Sequence, residues 1–236
     1  MFSFCVRLAD VGKRQDSRDR IESRIIELGR RHLETDGASG LSLRAIARDL
    51  GMVSSAVYRY VPSRDELLTL LLVDAYTELA DVAEAARAAA GADWREQIKA
   101  IGRAARAWAL GVPACWALLY GSPVPGYHAP AESTVGPGTR VVGLLFDAVS
   151  AGIATGDVRS PGHAAPQTIS ADFAQLRDEF GFSGDDDAVT RCFVLWAAIV
   201  GAISLEVFGQ YGADTLSDPA GVFDLQLDVL VNMLAA

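Results

Sequence analysis

Cysteine and histidine are scarce in this chain of 236 residues, which contains three of each. Cys5, Cys115 and Cys192 lie far apart, so they match neither a disulfide framework nor the spacing of metal ligands. We expect Cys115 and Cys192 to be buried. Because apolar helical surroundings raise the pKa of a thiol, a redox-sensing role is the less favoured alternative. The sequence therefore predicts no metal site and no cofactor.

The chain also lacks a long hydrophobic segment. Its longest uncharged apolar run is the 14 residues from Cys192 to Leu205, whereas a membrane-spanning helix needs about 20. The first residues, MFSFCVRLADVGKR, have neither a long apolar core nor a cleavage pattern of the kind found in secretory signals. We therefore expect a soluble, cytoplasmic protein without a membrane partner.

Familiar catalytic patterns are missing as well. The sequence contains no HExxH or GxSxG motif, no glycine-rich phosphate loop after a strand, and no cluster of His, Cys and Asp. An enzyme built on a helical body remains an alternative, but no pattern favours it. We predict no catalytic residue.

Basic residues are outnumbered overall, yet they are unevenly distributed. The net charge is −9, but residues 1–66 hold 12 Lys/Arg against 10 Asp/Glu, a net charge of +2. The remainder, residues 67–236, has 9 basic against 20 acidic residues, a net charge of −11. Because the excess of positive charge is confined to the N-terminal part, we expect that part alone to bind the phosphates of a nucleic acid.

The most informative segment is residues 41–68, LSLRAIARDLGMVSSAVYRYVPSRDELL. Ser42 is a suitable N-cap and Gly51 a suitable left-handed stop for a first helix. Pro62 ends a second helix, and residues 63–66 form a capping box for a third. The apolar residues of the first helix recur at helical spacing: Leu43, Ile46, Ala47 and Leu50. This layout predicts a helix-turn-helix, which presents one helix to the major groove of DNA.

The second helix of the pair has two chemically different faces. Val53, Val57 and either Tyr60 or Val61 form the apolar face. The opposite face carries hydroxyl, phenol and guanidinium groups, which suit hydrogen bonds to phosphates and base edges. Its residues are Ser54, Ser55, Tyr58 and Arg59. An ordinary helical hairpin with a solvated face is the alternative.

Over about residues 18–75 these features resemble the DNA-binding domain of TetR-type transcriptional regulators. The matching positions are Ala47, Gly51, Tyr58-Arg59-Tyr60, Pro62-Ser63-Arg64 and Glu66-Leu67-Leu68. The resemblance implies that Tyr58 and Arg64 hold phosphates, that Ser54, Ser55 and Arg59 read or flank bases, and that Ser42 touches the DNA backbone. The whole DNA-binding set implied is Ser42, Arg44, Ser54, Ser55, Tyr58, Arg59, Tyr60 and Arg64.

Two positions depart from the family pattern. Val53 stands where the family usually has a capping Ser or Thr, so the cap is expected to move to Ser54 and remove that residue from base reading. Val61 replaces the usual phenylalanine, which is expected to thin the packing beneath the recognition helix.

The rest of the chain has helical patterns, so the predicted fold class is all-α. A three-helix helix-turn-helix module is joined by a long helix to a larger helical domain for ligand binding and dimerisation. Residues 121–138, with four Gly and four Pro, and residues 154–184 are predicted to be irregular, with a short helix near 170–180. The predicted helices are 17–36, 64–90, 93–110, 113–120, 138–152, 185–210 and 218 onward. The predicted domains are a flexible arm at 1–16, the DNA-binding domain at 17–66 and the helical domain at 67–236.

The last two predicted helices are apolar on more than one side, so each needs more than one neighbour. A second copy related by a two-fold axis supplies the additional neighbour. The family resemblance also implies a dimer through these helices, and its WxxxxG pattern is present as WAAIVG at residues 196–201. Burial within the monomer is the alternative. The predicted dimer interface is Phe193, Val200, Ile203, Val207, Phe223, Leu227 and Leu230.

Aromatic residues in the middle of the chain are candidates for a regulatory pocket. The resemblance implies that this region encloses a ligand, and an apolar pocket with few polar groups suits a small hydrophobic or aromatic effector. For each of them, core packing is the alternative. The candidates are Trp108, Trp116, Tyr120, Tyr127, His128, Phe146 and Trp196.

The sequence therefore predicts a homodimeric, ligand-responsive regulator, with repression the expected direction of control, bound to a palindromic double-stranded DNA operator. A DNA-binding regulator that has no small-molecule ligand and is controlled by a protein partner is the main alternative.

Overall fold

The structure, a computed structural model, describes residues 2–159, 165–212 and 214–235, and only the backbone of residues 2–17. Helices make up 77% of the chain, and the described residues contain ten α-helices and no strand. The all-α prediction is confirmed. The helices are α1 Phe2–Gly40, α2 Leu43–Asp49, α3 Ser54–Val57, α4 Arg64–Ala89, α5 Trp94–Gly111, α6 Pro113–Tyr120, α7 Ala131–Ala154, α8 Gln167–Phe180, α9 Asp186–Val207 and α10 Pro219–Ala235.

The chain forms two compact units whose boundary differs from the predicted one at residue 66. The N-terminal unit contains residues 1–75 and 114–134, and the C-terminal unit contains residues 76–113 and 135–236. The chain therefore passes between the units three times: within α4, at the start of α6, and within α7. A segment from the middle of the sequence belongs with the helix-turn-helix.

The N-terminal unit is held together by aliphatic side chains from α1 to α4. Ile25, Ile46, Val57 and Leu67 are fully buried in one core cluster. Burying an aliphatic side chain of this size contributes about 1.5–3 kcal/mol. Val61 is also fully buried there, so the smaller side chain at this position still fills a place in the core.

The first helix is longer than the sequence predicts at its N-terminal end. It includes residues 2–16, where the sequence predicts a flexible arm. Gly37, with φ 67° and ψ 174°, interrupts the helical backbone at the predicted end, and a short helical segment follows it to Gly40. The backbone conformation at Gly37 is open to glycine because glycine has no Cβ.

Capping residues predicted from the sequence begin three helices of the C-terminal unit. Asp93 accepts a hydrogen bond from the backbone N–H of Arg95 at the start of α5. Asp185 does the same for Ala188 in α9, and Asp218 for Gly221 in α10. These side chains satisfy backbone donors that the first turn of a helix leaves open.

The prediction that residues 121–138 are irregular is wrong for its second half, because α7 begins at Ala131 and contains Pro137. Proline has no backbone N–H, so the helix lacks the bond that residue 137 would donate to the carbonyl four residues earlier. The hydroxyl of Thr134 donates to Pro130 O at 2.8 Å, and that of Thr139 donates to Val135 O at 2.9 Å.

The C-terminal unit is built around α5, α9 and α10, which pack on one another. Close packing is visible at Gly102 of α5, where a Cβ would lie 2.7 Å from Leu227 Cδ2 in α10. Among the described residues, one helix, Asp186–Val207, has the length and apolar composition that a membrane crossing requires. Arg191 and Glu206 on this helix form ion pairs within the unit, which suits a core helix of a folded domain.

Candidate nucleic-acid interface

The helix-turn-helix starts at Ser42, whose hydroxyl accepts a hydrogen bond from Ala45 N at 3.4 Å. This cap begins α2, and Gly51 with φ 67° ends the turn that follows it. Gly51 N donates to Arg48 O, and Met52 N donates to Ala47 O. The chain then enters α3 directly. The turn thus fixes the angle between the two helices with backbone bonds and one left-handed glycine.

The helix α3 is short, but its hydrogen bonds extend beyond its last residue. Tyr58 N donates to Ser54 O, and Val61 N donates to Val57 O at 3.0 Å. Val53 occupies the N-cap position, and this helix has no side-chain cap among the described residues. The expectation that the cap moves to Ser54 is therefore wrong, and Ser54, half-buried, lies in the first turn.

The exposed face of α3 and its following turn consists of Ser55, Tyr58 and Arg59. Tyr58 is 40% exposed, which is high for a large aromatic side chain beside a core. A phenol, a hydroxyl and a guanidinium on one exposed face can donate to phosphate oxygens and to base acceptors. The structure therefore brings together these three residues of the predicted DNA-binding set.

Three other predicted residues are occupied by contacts within the unit. Ser42 caps α2, as described above. Arg64 is half-buried, and its Nη2 donates to the carbonyls of Ala38 at 2.8 Å and Ser39 at 3.3 Å. Tyr60 is half-buried, with the Arg18 guanidinium 5.9 Å from its ring centroid. Arg64 therefore joins the residues after Gly37 to the start of α4.

Arg48 is an exposed cation of α2 that was not in the DNA-binding set predicted from the sequence. Arg44 and Arg48 are both exposed and lie four residues apart on α2, so they share one face of that helix. Arg48 is exposed at 80% of its side chain. The helical spacing of the two arginines was the available signal.

A second polar contact joins α1 to α2. His32 Nε2 lies 2.8 Å from Asp49 Oδ2, and His32 Nδ1 lies 3.7 Å from Asp36 Oδ2. The hydrogen bond from His32 is the main cause that lowers the pKa of Asp49 below its usual value. Asp49 is thus ionised at neutral pH, and the pair anchors the C-terminal end of α2.

The predicted ligand residues are divided between the two units. Trp116, Tyr120, Tyr127 and His128 belong to the N-terminal unit, where Trp116 is fully buried with its ring 4.4 Å from that of Tyr120. His128 is exposed. The residues in the C-terminal unit are Trp108 and Phe146, both buried, and Trp196, which is half-buried.

Phe146 has two aromatic neighbours that were not predicted as ligand residues. Its ring centroid lies 5.1 Å from that of Phe180, in a stacked arrangement, and 4.7 Å from that of Phe182, edge to face. Phe180 and Phe182 lie at the end of a stretch predicted to be largely irregular. These three rings form an aromatic cluster in the C-terminal unit.

The predicted dimer residues occupy different environments. Ile203, Phe223 and Leu227 are buried within the chain, so their place in the predicted interface is corrected: they belong to the core of the C-terminal unit. Packing of α5 against α9 and α10 buries this side. Val200, Val207 and Leu230 are half-buried, and Phe193 is 46% exposed.

An exposed apolar stripe runs along α9 and α10. Leu225 and Val229 on α10 are 66% and 67% exposed, and Gly201 lies near the middle of the stripe on α9. An apolar groove of about 540 Å³ lies between the two helices. Contiguous exposed apolar surface of this kind is typical of protein or membrane contacts and of ligand-binding grooves. We call this surface the α9–α10 stripe; it consists of Phe193, Val194, Ala197, Gly201, Leu205, Phe208, Leu225 and Val229.

Two family models match the chain. The model for bacterial regulatory proteins of the tetR family matches residues 25–71, which include α2, α3 and the start of α4. The model for a tetracyclin repressor-like C-terminal domain matches residues 98–230, more than half of the chain.

Curated relatives match over nearly the whole length. The chain is 66% identical over 226 residues to the HTH-type transcriptional regulators Rv1816 of Mycobacterium tuberculosis (strain H37Rv) and Mb1846 of Mycobacterium bovis, covering 95% of this chain and 97% of each relative. The HTH-type transcriptional repressor DrrR1 of Streptomyces coeruleorubidus is 41% identical, but over only 49 residues, 21% of this chain and 18% of that repressor.

Solved structures share the architecture. The regulatory protein SCO4313 is 33% identical, with a TM-score of 0.75 over 92% of this chain and 98% of its own. The TetR family transcriptional regulator PfmR from Thermus thermophilus is 16% identical, with a TM-score of 0.57 over 89% of this chain and 97% of its own, and this second likeness concerns the fold alone.

Proposed function

Because the chain belongs to the TetR family of bacterial regulatory proteins, and is therefore a DNA-binding transcriptional regulator, we propose that it is a homodimeric repressor. In this proposal it binds a palindromic operator and leaves it when a small hydrophobic or aromatic molecule binds. The regulator works on the chromosome, so its place is the cytoplasm.

The exposed face of α3 is the observation that carries the DNA-binding part of the proposal. Ser55, Tyr58 and Arg59 point away from a packed core, and Arg44 and Arg48 add positive charge on α2. Arg59 donates to base acceptors, whereas Tyr58 and the α2 arginines bind phosphates and set the register. The acidic remainder of the chain is repelled by DNA, which orients the basic module toward it.

The α9–α10 stripe supports the homodimer. Two copies related by a two-fold axis bury the same apolar surface twice, and the axis places two recognition helices on two half-sites of a palindrome. Gly201 suits this role, since a Cβ built on it has no neighbour within 4 Å among the described residues of the monomer. Its small size is not required by those neighbours and allows a partner helix to approach.

The C-terminal unit is the proposed effector-binding part. Trp108, Phe146 and Trp196 provide apolar and aromatic surface there, which suits a hydrophobic or aromatic molecule. A ligand releases the operator only if it binds the arrangement that fits DNA poorly more tightly than the arrangement that fits DNA well. The two arrangements differ, in this proposal, in the distance between the two recognition helices of the dimer.

The experiment starts from the full chain and the genomic fragments that it selects. Binding is measured by fluorescence anisotropy, and the number of chains per fragment by analytical ultracentrifugation. We expect two chains per palindromic site, and Arg59→Ala to lower affinity for that site at least about tenfold, the equivalent of a lost bidentate base contact. Arg103→Ala, which removes an exposed charge in the C-terminal unit, is the matched control.

Native mass spectrometry of the purified dimer then tests the effector. A co-purifying small molecule that releases the operator when it is added back supports the proposal. A dimer that binds its operator but holds and responds to no small molecule would instead favour control by a protein partner. If one chain alone saturates the site, the repressor proposed here is wrong.

A further inference from the structure

The segment after α6 belongs to the DNA-binding unit although it lies far along the sequence. Residues 114–134 group with residues 1–75, and Ala114, Leu118, Val124 and Tyr127 pack against the buried core of that module. We propose that Tyr127 is a positioning residue for DNA binding: it fastens this segment to the start of α4 and thereby fixes the operator-bound geometry of the recognition helix. This inference rests on the proposed function.

A tight turn places Tyr127. Tyr127 N donates to Val124 O at 3.1 Å, which closes a four-residue turn around Pro125 and Gly126. Gly126 has φ 77°. Proline at the second position and a glycine with positive φ at the third define a type II turn. The proline fixes its own φ, which limits the backbone conformations of the turn that leads to Tyr127.

The phenol of Tyr127 ends on a buried hydroxyl. Tyr127 Oη lies 2.9 Å from Thr69 Oγ1, and Thr69 is one of the buried polar residues of the described chain. Thr69 Oγ1 also donates to Asp65 O at 3.0 Å. A threonine hydroxyl has a single proton, so Tyr127 must be the donor and Thr69 the acceptor.

Thr69 lies in the second turn of α4, next to the first turn, whose contacts fix the start of the helix. Ser63 Oγ caps α4 by accepting from Glu66 N at 3.0 Å, and Arg64 is held by Ala38 O. Leu67 is fully buried. Only residues 61–63 separate this first turn from the turn that carries Tyr58 and Arg59, so a shift of Thr69 is passed to the reading face.

The contact between Tyr127 and Thr69 can respond to an effector because of how residues 114–134 are connected to the rest of the chain. At the start of this segment, Pro113 joins it to α5, and at its end, Thr134 continues into α7, so both ends lead into the C-terminal unit. A rearrangement of α5 or α7 acts on Tyr127 through the chain itself. Coupling between effector and operator then passes through the contact that fixes α4.

The test is a double-mutant cycle on the full chain. Tyr127→Phe and Thr69→Val each remove the hydrogen bond and keep the shape of the side chain. We expect each to weaken binding to the genomic operator about 3–10-fold, as for one net hydrogen bond, and the double variant to be no weaker than the worse single variant. The slope of affinity against salt stays unchanged, because no phosphate contact is lost.

Three further variants separate positioning from general damage. Gly126→Ala strains the turn and should reproduce the loss of Tyr127→Phe, whereas Thr69→Ser keeps the acceptor and should bind as the wild type does. Thr35→Val is the matched control, since its hydroxyl donates within α1 to Arg31 O. Hydrogen exchange at the amides of residues 64–70 should rise in Tyr127→Phe and not in the control.

The outcomes are distinguishable. If the wild type binds its operator and Tyr127→Phe binds equally well, or if the two losses multiply in the double variant, the role assigned to Tyr127 is wrong. If the wild type forms no operator complex at all, the proposed function fails and this inference with it.

Discussion

At the scale of single residues, we expect DNA binding by this acidic chain to depend on a few exposed cations. Arg44 and Arg48 are exposed on one face of α2. We predict that Arg44→Ala or Arg48→Ala reduces the slope of log affinity against log salt by about 0.9, the value for one phosphate contact on duplex DNA. Binding titrations at several salt concentrations measure this slope.

The Arg103→Ala variant controls for the change in net charge, because Arg103 lies in the C-terminal unit and pairs with Asp224. An unchanged slope in both α2 variants would remove α2 from the interface and leave α3 as its main part. A slope reduced equally in the control would mean that the effect comes from net charge alone.

The second prediction for a single residue concerns the reactivity of the buried thiol of Cys192. Burial raises the pKa of Cys192 to about 12, so at pH 8 only about one molecule in ten thousand carries the thiolate. The thiolate is the nucleophile, so we predict no measurable reaction of Cys192 with iodoacetamide in the native protein within an hour. Peptide mass spectrometry after alkylation measures it.

Alkylation in guanidinium chloride, where the same cysteine is exposed, provides the reference rate. Fast modification of Cys192 in the folded protein would contradict its burial and would revive the redox alternative.

At the scale of helices, α5 is fastened to its neighbours by three cations. Lys99 pairs with Asp228 and Arg103 with Asp224, both on α10. Arg106 donates from Nε to Glu206 Oε2 of α9 at 2.7 Å, and also from Nη2 to Oε1. The carboxylates of α10 are recognisable in the sequence as a polar stripe spaced by four, but their pairing with α5 depends on the tertiary fold.

The pairs differ in how far their side chains are exposed, and we expect the less exposed pair to contribute more to stability. The side chains of Arg106 and Glu206 are 17% and 15% exposed, whereas those of Arg103 and Asp224 are 48% and 46% exposed. We predict that Arg106→Ala lowers the free energy of unfolding by roughly 2–3 kcal/mol, because it removes the partner of a carboxyl group that is largely shielded from water. Arg103→Ala should cost less than about 1 kcal/mol. Urea denaturation of both variants measures the difference.

If the two variants were equally stable, the greater burial of the Arg106 pair would have no energetic consequence. The variant Arg106→Ala/Glu206→Ala is informative too, since removing both partners should recover part of the stability lost by the single change.

Helix positions were predictable wherever capping chemistry marks them. Asp93, Asp185 and Pro219 each begin a helix at or next to the predicted residue. The error at α7 arose because Gly136 and Pro137 usually signal a break, whereas this helix continues through both with one backbone donor missing. Tertiary context can override such a local signal.

The candidate sites were predictable to different degrees for the same reason. Tyr58 and Arg59 follow a short-range pattern, so their exposure could be expected from spacing alone. Phe223 and Leu227 are apolar and Tyr127 is aromatic, but whether each faces a core, a partner or a ligand depends on contacts distant in sequence, such as Leu227 with Gly102 and Tyr127 with Thr69.

At the scale of the whole molecule, one chain provides one recognition helix, and a palindromic operator needs two. The α9–α10 stripe is the proposed means of joining them. It leaves large apolar side chains such as Leu225 and Val229 two-thirds exposed in the monomer. Proteins rarely keep such a contiguous apolar surface exposed, so we expect a second copy to cover it and thereby to remove an aggregation risk.

Gly201 allows this association to be tested apart from folding. A Cβ at Gly201 meets no described atom within 4 Å, so a larger side chain fits the monomer but fills the space that a partner helix would occupy. We predict that Gly201→Leu leaves helix content and thermal stability of the monomer intact and weakens dimerisation by at least about a hundredfold, equivalent to roughly 2.7 kcal/mol. Sedimentation equilibrium measures the dissociation constant, and operator affinity should fall with it because a single half-site is then bound.

Gly111→Leu is the matched control. Gly111 also lies in a helix of the C-terminal unit, and a Cβ placed on it likewise meets no described atom within 4 Å, but it lies outside the α9–α10 stripe. The control should remain dimeric and bind the operator as the wild type does. If Gly201→Leu also remains dimeric, the two-fold axis passes elsewhere, and the role proposed for the α9–α10 stripe is wrong.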